Sequence, residues 1–154
     1  MTAFEQAQKY LGLTEVPGGE NNPVIMEMLR LDQKWPTGDE VPWCSAFVNF
    51  VADQCGLERT KKLNARSWLL VGEHKIYATA QPGNVVVILT RGAGKQPGPE
   101  VIDAQGHVGI LAGWKANGHA LVLGGNQGNK VSIVAYPLDR VLGMRLLRPA
   151  KQVS

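Results

Sequence analysis

The order of hydrophobic periods along the chain constrains the fold more than any other feature. Helical signals fill the first half and β-branched runs the second. Thr2 and Glu5 are spaced as a capping box, and Phe4, Ala7 and Leu11 form one helical stripe that stops at Gly12. Val16-Pro17-Gly18-Gly19 reads as a turn, after which Asn22-Pro23 offers an N-cap followed by proline at the first helical position. Ile25, Met28, Leu29 and Asp32 carry that second helix on to the polar loop Thr37-Gly38-Asp39-Glu40. Trp43 to Cys55 reads as a third helix, with Phe47, Val48, Phe50 and Val51 at helical spacing and Gly56 as its stop. Asn64 is expected to cap a short helix from Ala65 to Val71, closed by Gly72. The pattern then changes. Asn84 to Leu89 is a β-branched run, hence a buried strand. His107 to Leu111, His119 to Leu123, Val131 to Ala135 and Gly143 to Leu147 are further strands, joined by glycine and asparagine turns that suit antiparallel neighbours. Helices before strands predict an α+β fold, with N-terminal helices packed on one antiparallel sheet of about five to six strands. A length of 154 residues suits a single domain, 1–154, large enough to bury a core.

Composition removes several classes of function. With 44% hydrophobic and 19% charged residues, the chain reads as globular rather than disordered. The net charge of +3 comes without a basic stripe interleaved with aromatics, so nucleic acid is not an expected partner. That modest positive charge favours contact with an anionic polymer or surface. Met1 to Gln6 has neither a basic start nor an apolar core, so no secretory signal is read. No apolar stretch approaches the ~18 residues of a membrane span, so no membrane insertion is expected. Cys44 and Cys55 would sit three helical turns apart, roughly 16 Å at about 1.5 Å per residue. A disulfide needs Cα atoms within about 7 Å, so the two thiols are expected to be free. The histidines and cysteines show no clustered ligand spacing, so no metal or other cofactor is expected.

Chemistry concentrates at a few residues. Cys44 follows Pro42-Trp43 in the first turn of the third helix, where unpaired amide protons and the positive end of the helix dipole favour thiolate over thiol. A thiolate nucleophile needs a base with a near-neutral pKa, and the chain has three histidines. His74 sits in the polar run Gly72-Glu73-His74-Lys75, and His119 follows the turn Asn117-Gly118. His107 alone opens a strand, lies between Gly106 and Gly109, and follows a long glycine- and proline-rich loop from Arg91. The third element depends on hairpin register. A two-residue turn at Asn117-Gly118 would set Asn126 opposite Gly109; a four-residue loop would set it opposite His107. In either register Asn126 shares the face of His107, because strand side chains alternate with period two. Asn126 reads equally well as a turn residue within Gly124-Gly125-Asn126-Gln127-Gly128-Asn129. Trp43, Trp68 and Gln127 are candidates for lining a substrate groove, with burial the competing expectation for at least one tryptophan. Cysteine at a helix start, followed by histidine and asparagine on an antiparallel sheet, is a papain-like plan.

Four pieces of sequence carry a family likeness. They are Glu15-Val16-Pro17-Gly18 with Asn22-Pro23, Pro42-Trp43-Cys44-Ser45-Ala46-Phe47-Val48-Asn49, Gly106-His107-Val108-Gly109, and Leu123-Gly124-Gly125-Asn126-Gln127. In these the chain resembles the CHAP family (cysteine, histidine-dependent amidohydrolases/peptidases) and its NlpC-type relatives, above all compact phage and bacterial cell-wall hydrolases. The resemblance implies a papain-like α+β fold and hydrolysis of an amide bond in peptidoglycan. It assigns Cys44 as nucleophile, His107 as base and Asn126 as the residue that orients His107. The chain departs from the family at Gly124, where many CHAP sequences carry an acidic residue two positions before the asparagine. The histidine that NlpC-type members often use as the third residue is also absent. A monomeric phage endolysin is therefore expected, made in the bacterial cytoplasm without its own signal and acting on the wall after release, with a lytic rate that falls as ionic strength rises. A secreted toxin of the same chemistry, an acyl transferase to an amine, and a wall-binding module with a merely buried Cys44 are the alternatives.

Overall fold

A computed structural model describes residues 1–16, 21–38 and 41–151. The turn expected at Pro17-Gly18-Gly19, and Asp39 and Glu40 of the polar loop, lie outside the described residues.

Local capping sets the helices. The Thr2 hydroxyl accepts from the Glu5 amide at 3.2 Å and the Glu5 carboxylate accepts from the Thr2 amide at 3.0 Å, which starts a helix over Ala3–Gln8 (α1). Ala3 and Ala7 form its buried face; Leu11, expected on that stripe, lies beyond the helix end and is exposed. Asn22 caps Pro23–Leu29 (α2) by accepting from the amides of Val24 and Ile25, and the helix buries Ile25, Met28 and Leu29. Cys44–Gln54 (α3) begins one residue later than expected, with Trp43 at the cap and Pro42 before it, and Gly56 stops it at φ +67°. Ala65–Leu70 winds as a 3₁₀ helix rather than an α-helix. Asn64 does not cap it, because its side-chain amide instead donates to the Ile102 carbonyl at 3.2 Å.

Among the described residues the sheet has six strands: Glu73–Lys75 (β1), Val85–Thr90 (β2), Gly106–Trp114 (β3), Ala120–Gly124 (β4), Ser132–Tyr136 (β5) and Val141–Leu146 (β6). Their order is β1-β6-β2-β3-β4-β5, with every pairing antiparallel. Five of these were expected from sequence. The sixth, β1, came from the polar run around His74, since a three-residue edge strand with mostly exposed side chains shows no apolar alternation. β2 shows none for the opposite reason: Val86 and Ile88 pack under the helices, while Val87 and Leu89 fill a second cluster on the far face with Val122 and Met144.

Packing of α3 on β3 is what locates the chemistry. Phe47, Val48 and Val51 bury against Val108 and Ile110 in one core. Each fully buried side chain of this size contributes about 1.5–3 kcal/mol, so the start of α3 is firmly held over the start of β3. The hairpin that follows has a longer loop than either expectation, but beside the site its register is the one expected from the four-residue loop. Trp114 pairs with Ala120 across a loop of residues 115–119, and the register then shifts at Ala112 so that Ile110 pairs with Leu123. That register would bring Asn126 opposite His107 if β4 continued. It does not, because β4 ends at Gly124 and Asn126 takes a left-handed φ of +62°. Asparagine is among the few residue types that accept that conformation readily.

Candidate active site

Cys44 is the first residue of α3, and its neighbours fix that helix start from two sides. The Ser45 hydroxyl donates to the Lys62 carbonyl at 2.6 Å and accepts from the Trp68 indole at 2.9 Å. Asn49 donates to the same Lys62 carbonyl at 3.0 Å and accepts from the Lys61 amide at 3.0 Å. The Trp43 indole donates to Glu15 Oε1 at 2.7 Å. Trp43 and Trp68 are both wholly buried, so neither presents a face to a groove; they are the packing that holds Cys44 in position.

β3 supplies His107. The imidazole and the Cys44 side chain are near enough to shift each other's titration through hydrogen bonding and charge, and the backbone amides of Val108 and Ser45 act on the thiol in the same sense. Imidazole Nε2 lies 2.8 Å from Gln127 Oε1, which leaves Nδ1 for the thiol. Gln127, one residue past the expected Asn126, is therefore the side chain that holds the ring. Among the described residues no hydrogen bond joins Asn126 to His107; Asn126 provides the left-handed turn that swings Gln127 inward, and its side chain lines the cleft.

The orientation of the Gln127 amide is determined by its surroundings. Its nitrogen donates to the carbonyls of Ser132 at 2.7 Å and Val122 at 3.2 Å, so Oε1 must face His107. The same oxygen accepts from the Tyr136 hydroxyl at 2.9 Å. An oxygen in that position takes a proton from Nε2, so neutral His107 carries its hydrogen on Nε2 and turns a bare Nδ1 toward the thiol. Gly124 makes the arrangement possible. A Cβ there would stand 2.9 Å from Gln127 Oε1 and 3.3 Å from His107 Nε2.

Electrostatics follow from these contacts. Burial pushes the Cys44 thiol up, but the His107 hydrogen bond and charge, together with the Val108 and Ser45 amides, outweigh it and hold the thiol below its ordinary value. Burial would likewise lower His107; the Cys44 bond and charge and the Gln127 bond raise it above its usual value, against a smaller opposing push from Arg140. Burial raises Tyr136, which keeps its hydroxyl a proton donor to Gln127. Both shifts at the Cys44–His107 pair favour thiolate and imidazolium.

Cys44 sits between two hollows. One, of about 260 Å³, contains His107, Gln127, Tyr136, Arg91 and Arg140. The other, of about 290 Å³, contains Trp35, Val41, Pro42, Leu63 and Asp103. Trp35, not Trp43 or Trp68, is the exposed tryptophan of the cleft, at 62%. The long loop from Arg91 forms part of the wall and is tied down from beneath. Arg66, wholly buried, donates to the carbonyls of Gly98 at 2.6 Å, Pro97 and Gln105 at 3.0 Å and Val101 at 3.2 Å. Among the described residues no group of three or more His, Cys, Asp or Glu side chains could hold a metal ion, and both cysteines are free thiols.

Sequence reasoning missed Gln127 as the partner of His107, together with Tyr136, Arg140 and Trp35. The glycines before Asn126 carried a signal for Gln127, since a turn there ends the strand parity on which the Asn126 expectation rested. Tyr136 and Arg140 gave none, because Tyr136 meets the site only when β5 folds back beside β4, and Arg140 only when the 3₁₀ turn after β5 is bonded to Thr90 at the end of β2.

No curated protein sequence matches the chain. Among solved structures it is similar to "Structure of NlpC1 from Trichomonas vaginalis", with a TM-score of 0.55 and 16% identity over 95% of this chain. The chain spans 43% of the length of that protein. At that identity the likeness establishes a shared α+β fold, helices on an antiparallel sheet as the sequence predicted. The profile of the CHAP domain matches residues 36–126, a stretch that starts before α3, runs through Cys44 and His107, and ends at Asn126. That match takes in more than half of the sequence, and by it the chain belongs to the CHAP domain family.

Proposed function

We propose that this protein is a peptidoglycan hydrolase that cleaves an amide bond through Cys44, acting as a phage endolysin. One observation carries the catalytic reading: a thiol at a helix start, paired electrostatically with a histidine whose ring is held by a buried amide. Cys44 Sγ attacks the amide carbonyl, forming the C–S bond, with the thiol proton already on His107 Nδ1. The negative oxygen that develops lies near the Cys44 backbone amide, which has no partner inside the helix. The C–N bond then breaks as imidazolium hands its proton to the leaving nitrogen. His107, neutral again, takes a proton from water, and hydroxide displaces the thiolate from the acyl carbon. Gln127 keeps the ring in the required tautomer throughout, as a positioning residue. Family membership and the net charge of +3, suited to an anionic wall polymer, support peptidoglycan as the substrate.

The test is mass spectrometry of fragments released from purified peptidoglycan by the wild type and by Cys44→Ala. New amino termini that appear with the wild type alone are expected, and they identify the bond. Equal release by both proteins overturns thiol catalysis, and no release from walls of several chemotypes overturns hydrolysis.

A further inference from the structure

The two hollows beside Cys44 differ in charge, and His107 belongs to only one of them. The His107 side contains Arg140 and has no carboxylate in its lining; Arg91 stands between the two hollows and lines both. Ion pairs among the described residues engage Arg59 and Arg148, and neither Arg91 nor Arg140. Arg91 is exposed at the rim. Arg140 is held in place: its guanidinium lies 5.0 Å from the Tyr136 ring centroid and donates through one terminal nitrogen to the Thr90 carbonyl at 2.8 Å. The other terminal nitrogen has no protein partner among the described residues. Two guanidinium groups at one hollow, one pre-oriented by an aromatic face and a backbone carbonyl, form a receptor for a carboxylate. The opposite hollow is mainly apolar, with Trp35, Val41, Pro42 and Leu63 on its walls, and there the shared Arg91 is balanced by the carboxylate of Asp103.

Chemistry then assigns the halves. The leaving nitrogen must sit within reach of the imidazolium that protonates it, so the amine fragment occupies the His107 side and the acyl fragment the Trp35 side. We infer that Arg91 and Arg140 form a carboxylate subsite for the amine fragment, so that the preferred substrate is an amide whose leaving amine bears a nearby free carboxylate and whose acyl part presents an apolar or sugar face to Trp35. This inference rests on the hydrolase reading for its direction along the cleft, but not for the existence of the subsite. A carboxylate bound there also offsets the downward push of Arg140 on His107, and so strengthens the imidazolium that catalysis uses.

The probes are the dipeptide L-Ala-D-Glu and its diamide, titrated by calorimetry or by chemical-shift changes into the Cys44→Ala protein. The dipeptide is expected to bind about tenfold more tightly than the diamide, the scale of one hydrogen bond to a charged group. Arg91→Gln and Arg140→Gln, each in the Cys44→Ala background, are expected to shrink that preference severalfold. Arg140→Lys, which keeps the charge and loses the fork, is expected to fall between. Unchanged thermal unfolding shows that the variants are folded. Equal affinity for the two probes, absence of binding by either, or a preference that survives both arginine substitutions overturns the subsite. Binding needs no turnover, so a carboxylate preference in a protein that cleaves no wall leaves the subsite standing and removes hydrolysis; cleavage without the preference does the reverse.

Discussion

Replacing Gln127 by leucine preserves volume and removes both halves of the amide that governs His107. The lost bond to the imidazolium is one to a charged group, worth about 1.5–3 kcal/mol. At 1.36 kcal/mol per factor of ten, that is roughly a 10- to 150-fold loss in any step that uses the ion pair. The change also leaves the Ser132 and Val122 carbonyls and the Tyr136 hydroxyl without their partner, for a stability loss of about 2–4 kcal/mol. The direction at His107 is fixed as well. The Gln127 bond raises its pKa, so the variant gives up its imidazolium at lower pH, and the Cys44 thiol, which that charge holds down, titrates higher. The assay is the rate of alkylation of Cys44 by iodoacetamide across pH, read by peptide mass so that Cys55 is counted separately. Near pH 7 Gln127→Leu is expected to react at least about tenfold more slowly than the wild type. Asn126→Gly keeps the left-handed turn without strain and is expected to react at close to the wild-type rate. A wild-type rate in Gln127→Leu, or an equal loss in Asn126→Gly, refutes the reasoning.

Gly124→Ala is expected to slow Cys44 alkylation much as Gln127→Leu does, since its Cβ would crowd Gln127 Oε1 at 2.9 Å; a native rate would show that the amide has room to retreat. Arg66→Met, which strips the donors from four loop carbonyls, is expected to cost at least about 3 kcal/mol in denaturant unfolding. The same variant should let trypsin cut faster at Arg91 or Lys95, and an unchanged cleavage rate would mean that the loop holds itself.

Much of this architecture could be read from the residues, and the misreadings share a cause. Capping signals at Thr2 and Asn22 are local, and so is the thiol at the start of α3; each proved as informative as its neighbours along the chain allowed. β-branched runs located five strands, whereas β1 depends on the β6 backbone beside it rather than on its own side chains. At the site, Cys44 and His107 announced themselves by position within their elements. The partner of His107 did not, because period-two parity holds only while a strand lasts, and β4 ends two residues before Asn126. Tyr136 reaches the site through strand order and Arg140 through its bond to Thr90, which no window of sequence contains.

The Gln127 latch ties the state of His107 and Cys44 to the least secure border of the molecule. Three of its five hydrogen bonds, to the Ser132 carbonyl and hydroxyl and from the Tyr136 hydroxyl, involve β5, which is the outermost strand on its side and, among the described residues, pairs only with β4. Edge segments open locally at a smaller free-energy cost than the whole fold. Each such fraying of β5 releases the amide and with it the tautomer of His107, although α3, β2 and β3 remain assembled. Heat therefore silences this protein in stages, with the thiol losing its reactivity at temperatures where the core is still native.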